Sequence, residues 1–260
     1  MAAAQHQRGE AFRALHAGDP FVIPNPWDAG SARELEALGF RALATTSSGF
    51  ALTLGRRDGE VTLDEVSDHV RAVASATSLP VSVDLENGYG ESPDAAATAI
   101  ARAADAGAVG GSIEDWDPDR GIYPLEEAAQ RVGAAAEAAR GLGFPFVLTG
   151  RAENHIRGNP DLDDTIARLR AYEEAGADVL YAPGLGTAEE VRAVCEAVSR
   201  PVNVLAHPGL TIDAIVAAGA QRISVGGSLA FVAYGAMAAA AQQLLDDDLT
   251  ALKPQARIHI

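Results

Sequence analysis

Lysine is almost absent from the sequence. Lys253 is the single lysine, it lies close to the C-terminus, and the other nineteen basic residues are arginines. A Schiff-base mechanism needs an amine nucleophile inside a pocket, and the tail LKPQARIHI is a poor place for one. The sequence therefore argues against a lysine-dependent aldolase and against a pyridoxal-phosphate enzyme.

Cysteine and clustered positive charge are scarce as well. The single cysteine, Cys195, allows no intramolecular disulfide, which is typical of a protein in a reducing cytoplasm. The formal net charge is −16 at pH 7. Because phosphate binding needs a clustered basic surface, this acidity argues against a nucleic-acid partner.

Long apolar runs are missing. The longest, over residues 229–241, has about 13 residues interrupted by Tyr234 and Gly235, which is short of the roughly 20 residues that a membrane span requires. The N-terminal residues lack the apolar core of a signal peptide. We therefore expect a soluble, cytoplasmic protein that has no membrane partner.

The sequence does contain a repeated alternation of two patterns. Eight times, a short apolar run typical of a buried parallel strand precedes a segment with helical periodicity. The predicted strands cover residues 21–24, 42–46, 81–84, 111–114, 146–149, 179–182, 202–206 and 223–225. The predicted helices cover residues 31–38, 63–76, 92–106, 125–142, 161–175, 188–199, 212–218 and 229–245.

Eight strand–helix units in 260 residues predict an α/β fold with one (β/α)8 TIM barrel over residues 1–260. An N-terminal helix is expected over residues 1–18 and a C-terminal tail over residues 246–260. An open, doubly wound sheet is the alternative, because the order of the strands in the sheet is not visible in the sequence.

Acidic side chains follow three neighbouring predicted strands. Asp58 lies in the loop after the second strand, Asp84 and Glu86 follow the third, and Glu114 ends the fourth. In α/β barrels the chemistry lies at the C-terminal ends of the strands, so we expect these carboxylates to converge. Converging carboxylates repel one another unless they are protonated or neutralised, and Mg²⁺ is the usual neutraliser of an all-oxygen site. The alternative is that these acids cap helices or pair with arginines.

Two further strand ends offer groups for binding an anionic substrate. Arg151 ends the fifth predicted strand, and its planar guanidinium suits a carboxylate or a phosphonate. A structural ion pair with a neighbouring glutamate is the alternative role for Arg151. After the second strand, Ser47, Ser48 and Gly49 offer hydroxyl and backbone N–H donors suitable for a second carboxylate.

The seventh predicted strand adds two candidates. Asn203 is a candidate for contacting the substrate, and His207 is a candidate for acid–base catalysis or substrate contact. A structural role is an equally good interpretation of His207. Cys195 lies inside a predicted helix and is interpreted as a core residue.

Five motifs carry a resemblance to a known family. They are NPWDAGSARELEALGF, TTSSGFALTLGRRDG, VDLENGYG, GGSIEDW and TGRAEN, in this order within residues 8–245. With these motifs the sequence resembles the isocitrate lyase/phosphoenolpyruvate mutase superfamily. The resemblance implies a metal-dependent enzyme in which Mg²⁺ stabilises a pyruvate enolate. It also implies that the apolar C-terminal helix is exchanged between neighbouring subunits in a homotetramer.

The resemblance implies roles for individual residues. Asp84 would be the direct Mg²⁺ ligand, Arg151 would bind the substrate, and the backbone of residues 47–49 would hold the carboxylate of a 2-oxo acid. Three further acids would hold the water molecules of the ion: Asp58, Glu86 and Glu114.

Two departures from the family pattern narrow the function. Glu86 stands where the family usually has an aspartate. The loop after the fourth predicted strand, DPDRGIY, lacks the Lys-x-Cys-Gly-His segment of the isocitrate and methylisocitrate lyases, and the gating asparagine of the phosphonopyruvate mutases is missing too. If an acid is needed, the candidates are Tyr123, Asp119 and His207.

These observations predict a carbon–carbon lyase or decarboxylase that acts on a small 2-oxo or 2-hydroxy (di)carboxylic acid. The expected cofactor is Mg²⁺, with Mn²⁺ as a substitute. One alternative is a phosphonopyruvate-type mutase or hydrolase of a P–C bond. Another is a barrel that binds a 2-oxo acid without catalysis, although the retained acids and Arg151 argue against it.

Overall fold

The computed structural model describes residues 2–253 and 256–259, and ten strands are present among them. In chain order the strands are β1 Phe21–Ile23, β2 Leu43–Ala44, β3 Val81–Asp84, β4 Gly110–Glu114, β5 Trp116–Asp117, β6 Gly121–Ile122, β7 Val147–Arg151, β8 Val179–Tyr181, β9 Val202–Leu205 and β10 Arg222–Ser224. Eight of them match the predicted strands to within one or two residues. β5 and β6 form an antiparallel hairpin that the sequence patterns did not predict.

The eight other strands are parallel and form one sheet that curls into a nearly closed barrel. Their order is β1-β10-β9-β8-β7-β4-β3-β2, so the first two strands of the chain lie at the two ends of the sheet. These ends meet, because the backbone N–H of Ala44 donates a hydrogen bond to the carbonyl of Pro24 (3.1 Å). The predicted (β/α)8 barrel is confirmed. A doubly wound sheet is ruled out, since its strand order reverses within the sheet.

The described residues contain ten α-helices, of which nine were predicted. They are α1 Ala2–Leu15, α2 Ala29–Ala37, α3 Ser47–Thr53, α4 Leu63–Ala76, α5 Pro93–Asp105, α6 Leu125–Arg140, α7 Leu162–Ala175, α8 Ala188–Ala197, α9 Ile212–Ala217 and α10 Ser228–Leu245. In the predicted tail, a 3₁₀ turn covers Thr250–Leu252. Residue 1 of the predicted N-terminal helix and residues 254, 255 and 260 of the tail lie outside the described residues.

The unpredicted helix, α3, begins where the sequence patterns indicated a turn. Serine and glycine at its start have low helix propensity. The helix forms because the Thr46 hydroxyl accepts a hydrogen bond from the backbone N–H of Gly49 (3.3 Å), which satisfies one of the free donors of the first turn. A side chain at Gly49 would lie 2.6 Å from the Thr46 methyl group, so the close approach requires glycine.

The hydrophobic core surrounds the barrel, between its strands and the outer helices. It contains strand residues such as Val83, Ile113 and Leu148 together with buried alanines of α5 and α6. At the N-terminal end of the barrel, α1 closes the opening with the fully buried ring of Phe12. A side chain at Gly110 would lie 2.6 Å from that ring. Gly110 therefore makes room for the aromatic plug.

Beyond this plug the interior of the barrel is polar. Barrel interiors are usually filled by bulky branched side chains. Here several interior side chains are short or polar, and they border a cavity: Ser82, Ser112, Asn203, Arg222 and Ser224. The substitution of small polar groups for branched apolar ones leaves room for a ligand at the open end.

One arginine fixes the loop that follows β3. Arg131 on α6 is fully buried, and it donates hydrogen bonds to the backbone carbonyls of Asn87, Gly90 (2.6 Å) and Glu91 (2.8 Å). Its guanidinium also lies 4.8 Å from the centre of the Tyr123 ring. These contacts hold the loop that begins at Asp84.

The last helix, α10, lies largely outside the core. Ala230 in its first turn is fully buried, whereas Phe231, Val232, Met237 and Leu245 are more than half exposed. The helix has 18 residues and is longer than the apolar run in the sequence suggested. By length and composition alone it could also cross a membrane, although a single helix of this kind is weak evidence for a membrane span.

Replacing Arg131 should destabilise the fold strongly. In Arg131→Met, three backbone carbonyls lose the donor that ties the loop to α6, so we expect the free energy of unfolding to fall by about 3 kcal/mol. Arg140→Met on the same helix is the matched control, since Arg140 is exposed and donates only to the carbonyl of Gly176 (3.3 Å). Urea unfolding checks both variants, and equal losses would contradict the proposed clamp.

Candidate active site

A cavity opens at the C-terminal ends of the parallel strands, where the sequence predicted the site. Its volume is about 160 Å³, whereas pockets for drug-sized ligands measure roughly 300–1,000 Å³, so it suits a small molecule. All eight strands of the barrel contribute to its lining. Six of the predicted residues line it: Ser47, Ser48, Asp58, Asp84, Arg151 and Asn203. Glu86 and Glu114 line a smaller adjoining cavity together with Asp58 and Arg151.

Asp84 ends β3 and faces the main cavity. Its Oδ1 accepts hydrogen bonds from the Ser112 hydroxyl (3.4 Å) and from the backbone N–H of Glu86 (3.3 Å). Its Oδ2 accepts from the backbone N–H of Ser47 (3.4 Å). All three bonds are long, so this carboxylate keeps lone pairs that a cation can use.

Glu86 is held in a strained backbone conformation. Its φ is +47°, and Tyr89 in the same loop has a φ of +59°, both in the left-handed region that non-glycine residues rarely adopt. The Tyr89 hydroxyl donates a hydrogen bond to Glu86 Oε1 (3.0 Å). Burial, together with the negative charges of Asp84 and Asp58, raises the pKa of Glu86 to about 7. The raised pKa shows that the neighbouring groups of the protein stabilise the negative charge of Glu86 poorly.

Glu114 and Asp58 complete what we call the acidic cluster: Asp58, Asp84, Glu86 and Glu114. Burial raises the pKa of Glu114 well above its usual value, and Arg151 opposes this rise while Glu153 adds to it. Burial also raises the pKa of Asp58, with a further contribution from the charge of Asp84. The cluster thus concentrates negative charge in a partly desolvated place.

Arg151 at the end of β7 is the cation at the centre of this cluster. Its Nη1 lies 3.2 Å from Glu114 Oε2 and 3.5 Å from Asp84 Oδ2, and its Nε donates to Glu153 Oε1 (2.5 Å). Burial lowers the pKa of Arg151, but the surrounding carboxylates outweigh this effect and hold it well above its usual value. Arg151 therefore makes the structural ion pairs that were the alternative to substrate binding. It also lines the cavity. Arg157 also pairs with Glu153, since its Nε donates to Glu153 Oε2 (2.9 Å). The two guanidinium groups do not neutralise the four carboxylates of the cluster together with Glu153.

The acidic cluster fits Mg²⁺ in its donor chemistry, because it offers carboxylate oxygens and excess negative charge. Over residues 2–253 and 256–259, no three acidic, histidine or cysteine side chains lie close enough together to surround an ion directly. The arrangement therefore suits an ion that keeps several water molecules and takes few direct protein ligands. Asp84 is the best placed direct ligand. Its carboxylate lies at the end of β3, lines the main cavity and accepts only long hydrogen bonds, so it keeps lone pairs for an ion.

The segment 47–49 forms the first turn of α3. Ser47 and Ser48 line the cavity, and the Ser48 hydroxyl lies 3.1 Å from the Thr46 hydroxyl. Two of its backbone N–H groups are already used, since Ser47 donates to Asp84 and Gly49 donates to the Thr46 hydroxyl. The hydroxyl groups of Ser47 and Ser48 also line the cavity, where the Ser47 hydroxyl hydrogen-bonds to Asp58.

Tyr123 and His207 lie outside the lining of both cavities at this end of the barrel. The Tyr123 hydroxyl is buried between Asn87 Nδ2 (2.9 Å) and Asp117 Oδ2 (3.3 Å), so it ties the β5–β6 hairpin to the loop after β3. His207 Nδ1 accepts from the backbone N–H of Gly209 (3.0 Å). A catalytic role for either residue stays a prediction.

Sequence reasoning missed the buried network behind the acidic cluster. Asp115 accepts hydrogen bonds from the Glu153 backbone N–H (2.7 Å), from Arg168 Nη1 (2.9 Å) and from the Tyr172 hydroxyl (2.5 Å). Glu153 in turn holds Arg151. The signal available in the sequence was the pair Glu114-Asp115 at the end of β4, because neighbouring residues of an extended chain face opposite sides. One acid faces the site, and the other anchors it from behind.

Comparison with known proteins agrees with this architecture. The family model described as "Phosphoenolpyruvate phosphomutase" matches residues 12–245. A crystal structure of a putative lyase/mutase from Burkholderia cenocepacia J2315 superposes with a TM-score of 0.95 at 49% sequence identity, covering 98% of this chain and 94% of that one.

Two curated relatives have named activities. An oxaloacetate decarboxylase from Bradyrhizobium sp. (strain BTAi1) is 32% identical over 95% of this chain and 85% of its own length. A 2-methylisocitrate lyase from Escherichia coli (strain K12) is 32% identical over 76% of this chain and 69% of its own length. The chain thus belongs to the phosphoenolpyruvate phosphomutase family, within the isocitrate lyase/phosphoenolpyruvate mutase superfamily.

Proposed function

We propose that this protein is a Mg²⁺-dependent carbon–carbon lyase, and that it decarboxylates or cleaves a small 2-oxo or 2-hydroxy (di)carboxylic acid through a pyruvate-type enolate. The observation that carries the proposal is the charge imbalance of the acidic cluster: it has four carboxylates, three of them with raised pKa values, and only Arg151 and Arg157 accompany them beside the two cavities. Such a site binds a hard cation and, through it, an oxyanion.

Each protein group then has a defined task. Asp84 would hold the ion, and Asp58, Glu86 and Glu114 would accept hydrogen bonds from its water molecules. When bound, Mg²⁺ supplies Lewis-acid stabilisation for the developing enolate oxygen. Arg151 is held rigidly by Glu153 and orients the carboxylates of Asp84 and Glu114. The hydroxyls of Ser47 and Ser48 can donate to the carboxylate of the substrate.

The loop after β4 favours decarboxylation over cleavage that needs an acid. The hairpin β5–β6 is short, and Asp117 Oδ1 already accepts from the backbone N–H groups of Asp119 (2.9 Å) and Arg120 (3.0 Å). These bonds help to lower the pKa of Asp117, although burial opposes them. Burial raises the pKa of Tyr123, whose hydroxyl is already paired. Loss of CO₂ needs no proton at the bond-breaking step, so the loop need not supply an acid.

The assembly and the compartment are proposals as well. We propose a homotetramer in which α10 packs on a neighbouring subunit, because its exposed apolar side chains need cover. We also propose that the protein is cytoplasmic, consistent with a single cysteine.

Removal of the metal should abolish turnover. We expect EDTA to stop activity and Mg²⁺ or Mn²⁺ to restore it, because neither a pocket lysine that could form a Schiff base nor another cofactor motif is apparent in the sequence. Asp84→Ala should lose metal affinity and at least about 100-fold in rate. Asp68→Ala is the matched control, since Asp68 is 80% exposed and pairs only with Arg71 on the surface. Full activity in EDTA would contradict the metal-dependent mechanism.

The loop after β4 should determine which substrates react fastest. We expect isocitrate and 2-methylisocitrate to react at least about 100-fold more slowly than the best β-oxo acid or smaller 2-hydroxy diacid, because a missing positioned acid costs roughly 10² to 10⁴ in rate. Initial rates of pyruvate and glyoxylate formation over a panel of such acids make this comparison. Rapid glyoxylate formation from isocitrate would show that the loop does supply an acid. Rapid turnover of phosphonopyruvate would instead favour the P–C alternative.

A further inference from the structure

Glu153 is a buried carboxylate that two arginines share. It follows the end of β7 by two residues and has no exposed surface. Its Oε1 accepts a hydrogen bond from Arg151 Nε (2.5 Å), and its Oε2 accepts one from Arg157 Nε (2.9 Å). Its backbone N–H donates to Asp115 Oδ1 (2.7 Å), which fixes the main chain at this point. Each oxygen of the carboxylate therefore serves a different guanidinium group.

Arg151 contacts Glu153 through Nε alone. Arginine–carboxylate pairs are frequently bidentate, with two parallel N–H···O bonds. Among residues 2–253 and 256–259, no acceptor takes a hydrogen bond from either Nη group of Arg151, and Nη1 only approaches Glu114 Oε2 (3.2 Å) and Asp84 Oδ2 (3.5 Å). Arg151 also lines both cavities. Its Nη groups are therefore donors that a ligand can use.

Arg157 explains why this ion pair is not bidentate. A bidentate contact would need Arg151 to donate from Nε to one oxygen of Glu153 and from an Nη group to the other. The other oxygen, Oε2, already accepts from Arg157 Nε. A second guanidinium at Oε2 would bring two positive charges side by side in a partly desolvated place, where like charges repel strongly. The pair thus stays monodentate.

Two contacts hold Arg157 beside Oε2. Its guanidinium stacks on the ring of Trp116 in the β5–β6 hairpin, with 3.5 Å between Cζ and the ring centre. Its backbone N–H donates to the carbonyl of Glu153 (3.1 Å), so the loop after β7 turns back on itself. Asn154 closes the same loop by donating to two of its backbone carbonyls (3.2 Å each). The hairpin and the loop together therefore place the second guanidinium.

We propose that Arg157 is a positioning residue for the active-site arginine: by occupying Oε2 of Glu153, it keeps Arg151 from pairing bidentately with that carboxylate. The Nη groups of Arg151 then stay at the cavities, where a carboxylate of the substrate can accept from them. Arg157 acts through Glu153 and needs no contact with the substrate. The role of Arg151 rests on the proposed function, which assigns an anionic substrate to the cavity.

A crystal structure of the metal-free variant Arg157→Met tests the geometry directly. We expect Arg151 to turn onto Glu153, with an Nη group within about 3 Å of the freed Oε2 and Nη1 withdrawn from the acidic cluster. Arg102→Met is the matched control, because Arg102 pairs with Asp64 on the surface (2.6 Å) and should leave Arg151 in place. If Arg151 keeps its wild-type position in Arg157→Met, the proposal is overturned.

Calorimetric titrations with oxalate in the presence of Mg²⁺ measure the consequence for binding. Arg157→Met should weaken oxalate binding at least about 10-fold, the scale of one lost hydrogen bond to a charged group. The double variant Glu153→Gln with Arg157→Met loses one charge of each sign and also the bidentate partner. It should therefore bind oxalate at least about fivefold more tightly than Arg157→Met. A purely structural role of Arg157 predicts a further loss in the double variant, and that result overturns the proposal.

Two further pairs of variants separate the charge from the stacking. Arg157→Lys keeps a cation near Oε2, so it should bind oxalate at least about threefold more tightly than Arg157→Met. Trp116→Leu removes the stacked ring, whereas Trp116→Phe keeps one, so the leucine variant should bind oxalate more weakly. If Arg157→Met does not fold, the two Trp116 variants decide, and equal oxalate affinities overturn the proposal.

Failure of the proposed function would give a different result. If oxalate binds equally well in Mg²⁺ and in EDTA, the metal-dependent function is wrong, and the metal-free crystal structure still decides on Arg157. If Mg²⁺ strengthens oxalate binding but Arg151 stays in place in Arg157→Met, the function stands and the positioning role is wrong.

Discussion

Crowded negative charge at the open end of the barrel is the constraint on which the rest of this structure depends. Four carboxylates converge there, and burial raises the pKa of three of them, Asp58, Glu86 and Glu114. Arg151 alone does not balance them. Such an arrangement stays folded only if surrounding contacts hold it. The proposed metal-dependent reaction assigns a cation to the same place, where it would offset the negative charge.

The surrounding contacts come from two buried networks. On one side, Arg131 holds the carbonyls of the loop after β3 and thereby keeps Glu86 and Tyr89 in left-handed conformations. On the other side, Asp115 anchors the backbone of Glu153, which orients Arg151. The strain at Glu86 is thus maintained by residues that never face the cavity. Between these networks, the polar interior of the barrel leaves a cavity that Asp84 and Arg222 both line.

Much of the fold was predictable, because parallel strands buried on both faces are short apolar runs followed by helical periodicity. The acidic cluster was predictable from its position at strand ends. The helix α3 was not, since a single cap at Thr46 and close packing at Gly49 override a poor helix-forming sequence. Arg222 was not predicted, because it lies at the start of a strand, whereas the chemistry of such barrels is expected at strand ends. The positions of Tyr123 and His207 depend on how loops fold back, which no periodicity records.

The most direct measurement is calorimetric titration of the protein with oxalate, which mimics a pyruvate enolate, in the presence and absence of Mg²⁺. If the acidic cluster is a Mg²⁺ site that presents its ion to an enolate, oxalate should bind at least about 100-fold more tightly with Mg²⁺, and Asp84→Ala should remove the difference. Equal oxalate affinity in Mg²⁺ and in EDTA would contradict the account. The carboxylates would then be a structural cluster, and the chemistry would have to lie elsewhere.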